Sequence, residues 1–343
     1  MPETLMSLPA GFARHMVDWQ RQHGRQSLPW QNTRDPYRVW LSEIMLQQTQ
    51  VSTVLDYFAR FLERFPDVAA LAAAEQDDVL ALWSGLGYYS RARNMHRCAQ
   101  DVMTRFGGAF PQDAQALQTL PGIGRSTAAA IAAFCFHERV AILDGNVKRV
   151  LSRVLGYGDD LAVAKNEKRL WDIAQELLPC KPVDMPRYTQ SLMDLGATVC
   201  LPRKVQCEAC PVAAMCKAKA KGEPLAYPVK TRKLKRSSAT LWLLWAVNAQ
   251  GQVWLQKRPN KGIWAGLFSL PVFETEDQLL AAWPQGQDAH YIEPWKHVLT
   301  HRDLHLHPVR LTGAARSSPD CEGQWVDATV WPELGLPAPI RRS

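Results

Sequence analysis

Apolar side chains recur at three- and four-residue steps through most of the chain up to residue 216. The clearest run is Val39, Trp40, Ile44, Val51, Leu55, Phe58 and Leu62, which predicts one amphipathic helix opening at Asp35-Pro36-Tyr37. Glu43, Gln47 and Gln50 fall together on another stripe of that helix, where the carboxylate between Leu41 and Ile44 is expected to be part-buried. The same periodicity predicts helices over 11–23, 66–83, 90–106, 113–119, 125–136, 147–155, 166–178 and 187–195. Leu28-Pro29-Trp30 reads as a loop, and Gly85-Leu86-Gly87-Tyr88-Tyr89 as an aromatic one. Alternating strand patterns are almost missing from this half, so it is expected to be all-α. After residue 239 the pattern changes. Residues 240–247, a turn at Asn248-Ala249-Gln250-Gly251 and residues 252–257 predict a β-hairpin, and 298–311 a further strand. The second half is therefore expected to be α+β, and no internal repeat is seen.

One stretch, Leu120 to Arg149, organises the first half. Leu120-Pro121-Gly122-Ile123-Gly124 predicts a tight hairpin: Pro121 ends one helix, and the two glycines permit positive φ. Arg125 to Phe136 follows as a helix of small residues. A glycine turn opening a helix leaves backbone N–H groups pointing outward, a ready seat for a phosphate oxygen. The apolar run Val140-Ala141-Ile142-Leu143 then delivers Asp144-Gly145-Asn146 to the start of the next helix. Asp144 alone reads equally well as a helix N-cap.

At 343 residues the chain is long enough for two domains with real cores. Lys and Arg outnumber Asp and Glu by 40 to 33, and the excess is uneven. Residues 217–236 hold eight basic side chains and one acidic, among Pro224, Pro228 and Gly222, and are expected to form a solvated basic linker that can lie along phosphates. The first residues lack a signal-peptide layout, and no stretch has the roughly 20 apolar residues of a membrane span. A cytoplasmic, monomeric protein without a membrane partner is the expectation.

Four of the eight cysteines, Cys200, Cys207, Cys210 and Cys216, follow C-x6-C-x2-C-x5-C. Such a set suits a zinc ion or an iron–sulfur cubane. Zinc ribbons usually use two close pairs and this chain has one, which favours the cubane. Cys98, Cys135, Cys180 and Cys321 are scattered and expected to be packing residues.

LPGIGRSTA followed by LDGNVKRV resembles the helix-hairpin-helix/Gly-Asp signature of DNA base-excision glycosylases, and the cysteine spacing is similar to that of the [4Fe-4S] members of the endonuclease III superfamily. Within it, the run WLSEIMLQQTQ at 40–50, Trp30, GLGYY at 85–89 and MDLGA at 193–197 resemble the adenine DNA glycosylase family. The resemblance implies an all-α helix-hairpin-helix domain over 1–216, with the hairpin motif near 113–136 and a [4Fe-4S] loop at 200–216. A basic linker would follow over 217–238, then a Nudix-like α+β recognition domain over 239–343. Its implied substrate is double-stranded DNA with adenine opposite 8-oxoguanine or guanine.

The implied chemistry breaks an N-glycosidic bond through a cationic sugar, which suits two carboxyl groups in different protonation states. Glu43 would be the acid, holding its proton through burial. Asp144 would be the anion, its pKa lowered by the helix N-terminus. Gln47 and Tyr88 would enter the DNA beside the flipped nucleotide. Gly122, Gly124, Arg125, Ser126, Lys148 and Arg149 would face the DNA backbone, and Trp30 and Asn146 would line the base pocket. Ser126 stands where the bifunctional lyases of the superfamily carry a Schiff-base lysine, so hydrolysis without efficient strand cleavage is expected.

In the second half, residues 262–271 resemble a Nudix-like strand segment, but ETEDQLLAAW at 274–283 lacks the carboxylates a Nudix helix uses for Mg²⁺. Lesion recognition would instead fall to Leu299-Thr300-His301, through Thr300 and His301, where the family carries a Phe-Ser-His turn. Two other readings stand beside this one, an endonuclease III-like pyrimidine glycosylase/lyase and a non-catalytic iron–sulfur DNA-binding protein, while Nudix hydrolysis requires carboxylates this chain lacks.

Overall fold

The computed structural model describes residues 8–231, 235–282, 289–312 and 322–341. Cys321 and Trp283 lie outside these. Twelve helices precede the sheet among the described residues: α1 (Phe12–His23), α2 (Pro36–Leu46), α3 (Val51–Arg64), α4 (Val68–Ala73), α5 (Gln76–Trp83), α6 (Ser90–Phe106), α7 (Ala114–Leu117), α8 (Arg125–Phe136), α9 (Gly145–Leu155), α10 (Ala164–Glu176), α11 (Met185–Thr198) and α12 (Lys217–Ala220). The chain divides into two compact units. One comprises Met1–Phe58 with Gln100–Lys233, the other Ala59–Ala99 with Leu234–Ser343. Residues 59–99 thus pack with the C-terminal half, a partition that helical periodicity does not reveal.

The first unit is helical. Its core joins α1, α8, α9 and α11 through Met16, Val17, Ala129, Ala130, Val150, Leu151, Tyr188 and Leu195. Ala128 to Ala133 are fully buried, and these short side chains let α2 and α11 approach α8 closely. The single helix expected over 35–62 is two. Asp35 caps α2, its carboxylate accepting from Tyr37 N at 2.9 Å with Pro36 at the first turn. The helix stops at Leu46, where Gln47 turns extended and Gln48 enters the left-handed region at φ +56°. No glycine or proline marks this break, so apolar spacing runs straight through it. Helices over 66–83 likewise separate, with Asp67 capping α4 through Ala70 N at 2.8 Å.

Most described residues of the expected linker are exposed, as expected, but it is tied down at several points. Ala218 of α12 is fully buried beside α9, Val229 accepts a hydrogen bond from Leu161 N at 3.0 Å, and Thr231 bonds the Asp160 carboxylate. Gly156, at φ +60°, leaves only 3.0 Å between a hypothetical Cβ and Lys217 Cβ, so α9 ends where α12 needs room. Of the scattered cysteines, Cys98 and Cys135 are buried as expected, but Cys180 is exposed.

The second unit carries one sheet: β1 (Ser237–Val247), β2 (Val253–Lys257), β3 (Phe268–Ser269), β4 (Val272–Phe273), β5 (Ala289–Tyr291), β6 (Trp295–Val298), β7 (Arg302–Thr312) and β8 (Gln324–Val326), with helices α13 (Glu276–Ala282) and α14 (Ala338–Arg341). The order is β3-β2-β1-β7-β5, with β4 paired to β1, β6 to β7 and β8 to β2. The expected hairpin forms: Val247 pairs with Val253, and the Asn248 side chain accepts from Gln250 N and Gln252 N at 3.0 and 2.9 Å. β1 also runs parallel to β7 from Ser237↔Arg302 to Val247↔Thr312, burying Leu243, Leu244, Leu304 and Leu306. The strand expected over 298–311 is broken at 299–301, the turn between β6 and β7, closed by Leu299 N to Arg302 O at 2.8 Å. In the same unit Phe61 packs edge-on against Phe65 and Trp83, with ring centroids 5.6 and 5.8 Å apart.

Candidate active site and DNA-facing residues

A cavity of about 1000 Å³ opens in the helical unit, between α2, the loop around Trp30, the start of α8, the start of α9 and α11. It gathers Trp30, Glu43, Gln47, Ser126, Asp144, Asn146 and Arg149, residues that lie far apart in the chain. Glu43 reaches it from α2, where its neighbours Ser42 and Ile44 are buried. Its side chain keeps some surface open to the cavity, yet the carboxyl is enclosed by protein. Burial first, and then the charge of Asp144, push its pKa from 4.5 to about 8. A glutamic acid so placed is protonated at neutral pH.

Asp144 is both N-cap and cavity wall. Its carboxylate accepts from Val147 N at 2.7 Å, and its carbonyl from Lys148 N at 2.9 Å. The amides at the helix N-terminus lower its pKa, as expected, but the net shift is upward. Burial outweighs the Val147 and Asn146 amides and the nearby Arg149 and Lys148, so Asp144 sits above the ordinary carboxylate range. The amides and cations still favour its charge, whereas nothing comparable favours that of Glu43. Of the two carboxyls, Glu43 is the one that burial carries to about 8 with no partner favouring its charge.

Ser126 supports this arrangement from α8: its hydroxyl accepts from Leu143 N at 3.3 Å, bracing the strand-like run that ends at Asp144. Gln47 lines the cavity from the break after α2, with Nε2 at 3.5 Å from Thr127 Oγ1, and not from the helical stripe on which its spacing placed it. Trp30 is buried edge-on against Phe58, with centroids 5.2 Å apart. Asn146 Oδ1 accepts from Arg149 at 2.8 Å, and Arg149 also donates to Gly196 O at 2.6 Å and Cys200 O at 2.8 Å. A Cβ on Gly196 would lie 2.7 Å from Asn146 Cβ, so only glycine admits Asn146 there.

Apolar spacing gave no warning of a second anchor. Asp194 is fully buried on α11 and accepts from Arg25 N and Nε at 3.0 and 2.7 Å and from Gln190 at 2.9 Å. Arg25 and Gln190 both line the cavity. The one signal in the sequence is an aspartate on the buried face of an amphipathic helix.

The hairpin before α8 departs from expectation in one respect. Gly122 has φ +77°, but Gly124 is extended and caps α8, with open space where a Cβ would stand. Both glycines are exposed, as is Arg125, whose guanidinium lies 4.0 Å from the centroid of Trp171. Lys148 is held by Glu167 at 2.5 Å.

The four cysteines line one apolar cavity with Val150, Val154, Leu195 and Val199. Arg153, almost wholly buried, donates to Cys200 Sγ at 3.3 Å and to the carbonyls of Leu201 and Pro202 at 2.8 and 3.3 Å. Among the described residues no three His, Cys, Asp or Glu side chains stand ready to hold a single metal ion. Four half-buried thiols that converge on one small space, beside a buried cation that offsets negative charge, are the donor set that fits an anionic thiolate-bound group.

In the sheet unit, Tyr88 sits at φ +49° with 41% of its surface exposed, and its hydroxyl is hydrogen-bonded to Thr300 Oγ1. Thr300 and His301 form the exposed turn between β6 and β7. Arg236 braces that turn by donating to the carbonyls of Leu299 and Thr300 at 3.0 and 3.3 Å.

Residues 41–176 match the HhH-GPD superfamily of base excision DNA repair proteins, and residues 242–343 match the NUDIX domain. The helical unit, with its glycine hairpin and capping aspartate, is thus a base-excision repair fold. The solved structure of a thermostable thymine-DNA glycosylase agrees, at TM-score 0.54 and 27% identity over 61% of this chain and 95% of that one. An adenine DNA glycosylase of Buchnera aphidicola subsp. Baizongia pistaciae is 35% identical over 96% of this chain and 95% of its own. The adenine DNA glycosylase of Homo sapiens is 36% identical over 78% of this chain and 59% of its own. This chain belongs to the adenine DNA glycosylase family.

Proposed function

We propose that this protein hydrolyses the N-glycosidic bond of adenine opposite 8-oxoguanine or guanine in duplex DNA. The observation that carries the reading is the cavity in which Glu43, its pKa pushed up to about 8, and Asp144 face the same space. Adenine turned out of the helix enters it past Trp30. Glu43 gives its proton to N7 as the C1′–N9 bond breaks, and the bonding pair leaves with the base. The positive charge left on the sugar is stabilised by Asp144. Glu43, now a carboxylate, takes a proton from the water that adds to C1′. Free adenine and an abasic sugar result, and Glu43 regains its proton. Ser126 offers a hydroxyl where an imine would need an amine, so the reaction ends at the abasic site.

Cys200, Cys207, Cys210 and Cys216 would hold a [4Fe-4S] cluster, which when bound ties their loop together. Arg203 and Lys204, between the first two ligands, then present charge to phosphates. Gly122, Gly124, Arg125, Lys148 and the basic residues along α12 favour the same partner. Tyr88 would wedge into the stack, with Gln47 filling the space beside the flipped adenosine, and Thr300 and His301 would read the base opposite.

The test is single-turnover excision on A:8-oxoguanine, A:G and A:T duplexes, read with and without alkali. Adenine loss that shows a strand break only after alkali, fastest opposite 8-oxoguanine, is expected. A break without alkali, trapped by borohydride at one lysine, would mean a lyase instead.

A further inference from the structure

The wedge assigned to Tyr88 needs a loop that holds still, and residues 84–89 include two glycines with positive φ, Gly85 and Gly87. Two sets of bonds hold them. One is local: Trp83 Nε1 donates to Gly87 O at 3.0 Å, and the Arg91 guanidinium lies 5.1 Å from the Trp83 ring and 5.3 Å from the Tyr88 ring while donating to Leu86 O and Gly87 O at 3.3 and 3.2 Å. The other comes from the far end of the chain. The carbonyl of Leu336 accepts both Ser84 Oγ at 2.9 Å and Tyr89 OH at 3.0 Å. Tyr89 OH also receives Gly85 N at 3.4 Å, and Arg341 donates to Ser84 O at 3.3 Å.

The receiving segment is itself fixed. Leu336 and Ile340 are fully buried, and Gly335 O accepts from Phe268 N at 3.0 Å on β3. A Cβ on Gly335 would stand 3.1 Å from Leu80 Cβ, so α5 and this segment meet at glycine distance. The loop is therefore clamped through one tyrosine hydroxyl and one serine hydroxyl to a carbonyl more than two hundred residues further along the chain.

We infer that Tyr89 is a positioning residue: its hydroxyl fastens the 84–89 loop to Leu336, so that the C-terminal segment sets where Tyr88 is presented to DNA. Tyr88 touches Thr300 on one side while its neighbour is held from 336 on the other. The recognition half of the protein thus controls the wedge as well as the turn that reads the opposite base. This rests on Tyr88 acting as the wedge.

The test uses the full-length protein with Glu43→Gln, so that no base is lost, and a duplex carrying 2-aminopurine beside the mispaired guanine. Unstacking by the wedge raises its fluorescence. Tyr89→Phe with Ser84→Ala removes both hydroxyls and keeps the packing; the rise should fall about tenfold, as expected for the loss of two hydrogen bonds. The melting temperature should fall by only a few degrees, leaving the protein folded at the assay temperature, and the single-turnover rate in the Glu43 protein should fall more than duplex affinity does. An unchanged fluorescence rise, with Tyr88→Ala abolishing it, would overturn the clamp and leave the wedge standing. No effect from Tyr88→Ala either would mean that the wedge itself is misassigned. A signal that falls only in step with the melting temperature would reduce Tyr89 to a packing residue and overturn the inference.

Discussion

The cavity of the helical unit and the exposed edge of the sheet unit each bring together two polar side chains from distant parts of the sequence, but in opposite environments. Glu43 and Asp144 are withdrawn from water, and that withdrawal carries Glu43 from 4.5 to about 8. Tyr88 and Thr300 meet in the open, on a turn and a loop that solvent reaches. Proton transfer near neutral pH needs a group whose charged form is penalised, and only burial does that strongly enough here. Reading the edge of a base needs side chains that DNA can touch. The two environments lie in separate compact units, and the roles proposed for them call for that separation.

The largest expected effect breaks the buried side. Glu43→Gln should lower the single-turnover rate by about 10²- to 10⁴-fold with little change in duplex affinity. The same substitution has a stability signature. The folded pKa of Glu43 is above the unfolded value, so the folded state binds more protons between them, and stability falls as pH rises from about 4.5 to about 8. Glu43→Gln lacks that loss and should melt higher than the parent at pH 8, with the gap closing toward pH 5. Asp144→Asn comes next. Asparagine still caps α9, so the fold should hold while the rate drops about 10²- to 10³-fold. A fall in melting temperature to match would mean that Asp144 matters as a cap alone. In the unaltered protein, raising pH beyond about 8 should lower the rate about tenfold per unit as Glu43 loses its proton. A flat profile to pH 9 would place the acid elsewhere. The exposed side should answer more gently: Thr300→Ala should cost about fivefold on A:8-oxoguanine, the weight of one hydrogen bond, and leave A:G nearly alone.

Much of this was legible in residue spacing. The hairpin at 120–124, the run to Asp144, the helical first half and the hairpin about Asn248–Gly251 all form where patterning placed them. The failures share a cause. Gln48 breaks a helix without glycine or proline, and Gln47 at the break faces Thr127, a contact between residues far apart in the chain. Gly124 has negative φ because it caps a helix, a choice that composition does not distinguish from a turn. The shift of Asp144 reversed sign because burial is a property of the packed site, while the helix end is visible locally. Asp194, Gly196 and Leu336 matter through what packs on them, and no window of neighbouring residues records that.

The interleaving of the two units has a consequence for how the chain is made. Residues 59–99 leave the ribosome early, yet the partner surface that buries Leu80 and receives Ser84 is encoded at the other end. At ordinary translation speeds, the roughly 250 residues from Ser84 to Leu336 take on the order of tens of seconds to appear. During that interval the helical unit can close around its cavity while residues 59–99, which belong to the other unit, trail an unsatisfied apolar face. A nascent chain stalled near residue 230 should accordingly show a protease-resistant cavity and a cleavable segment between α3 and α6, and release of the full chain should protect both.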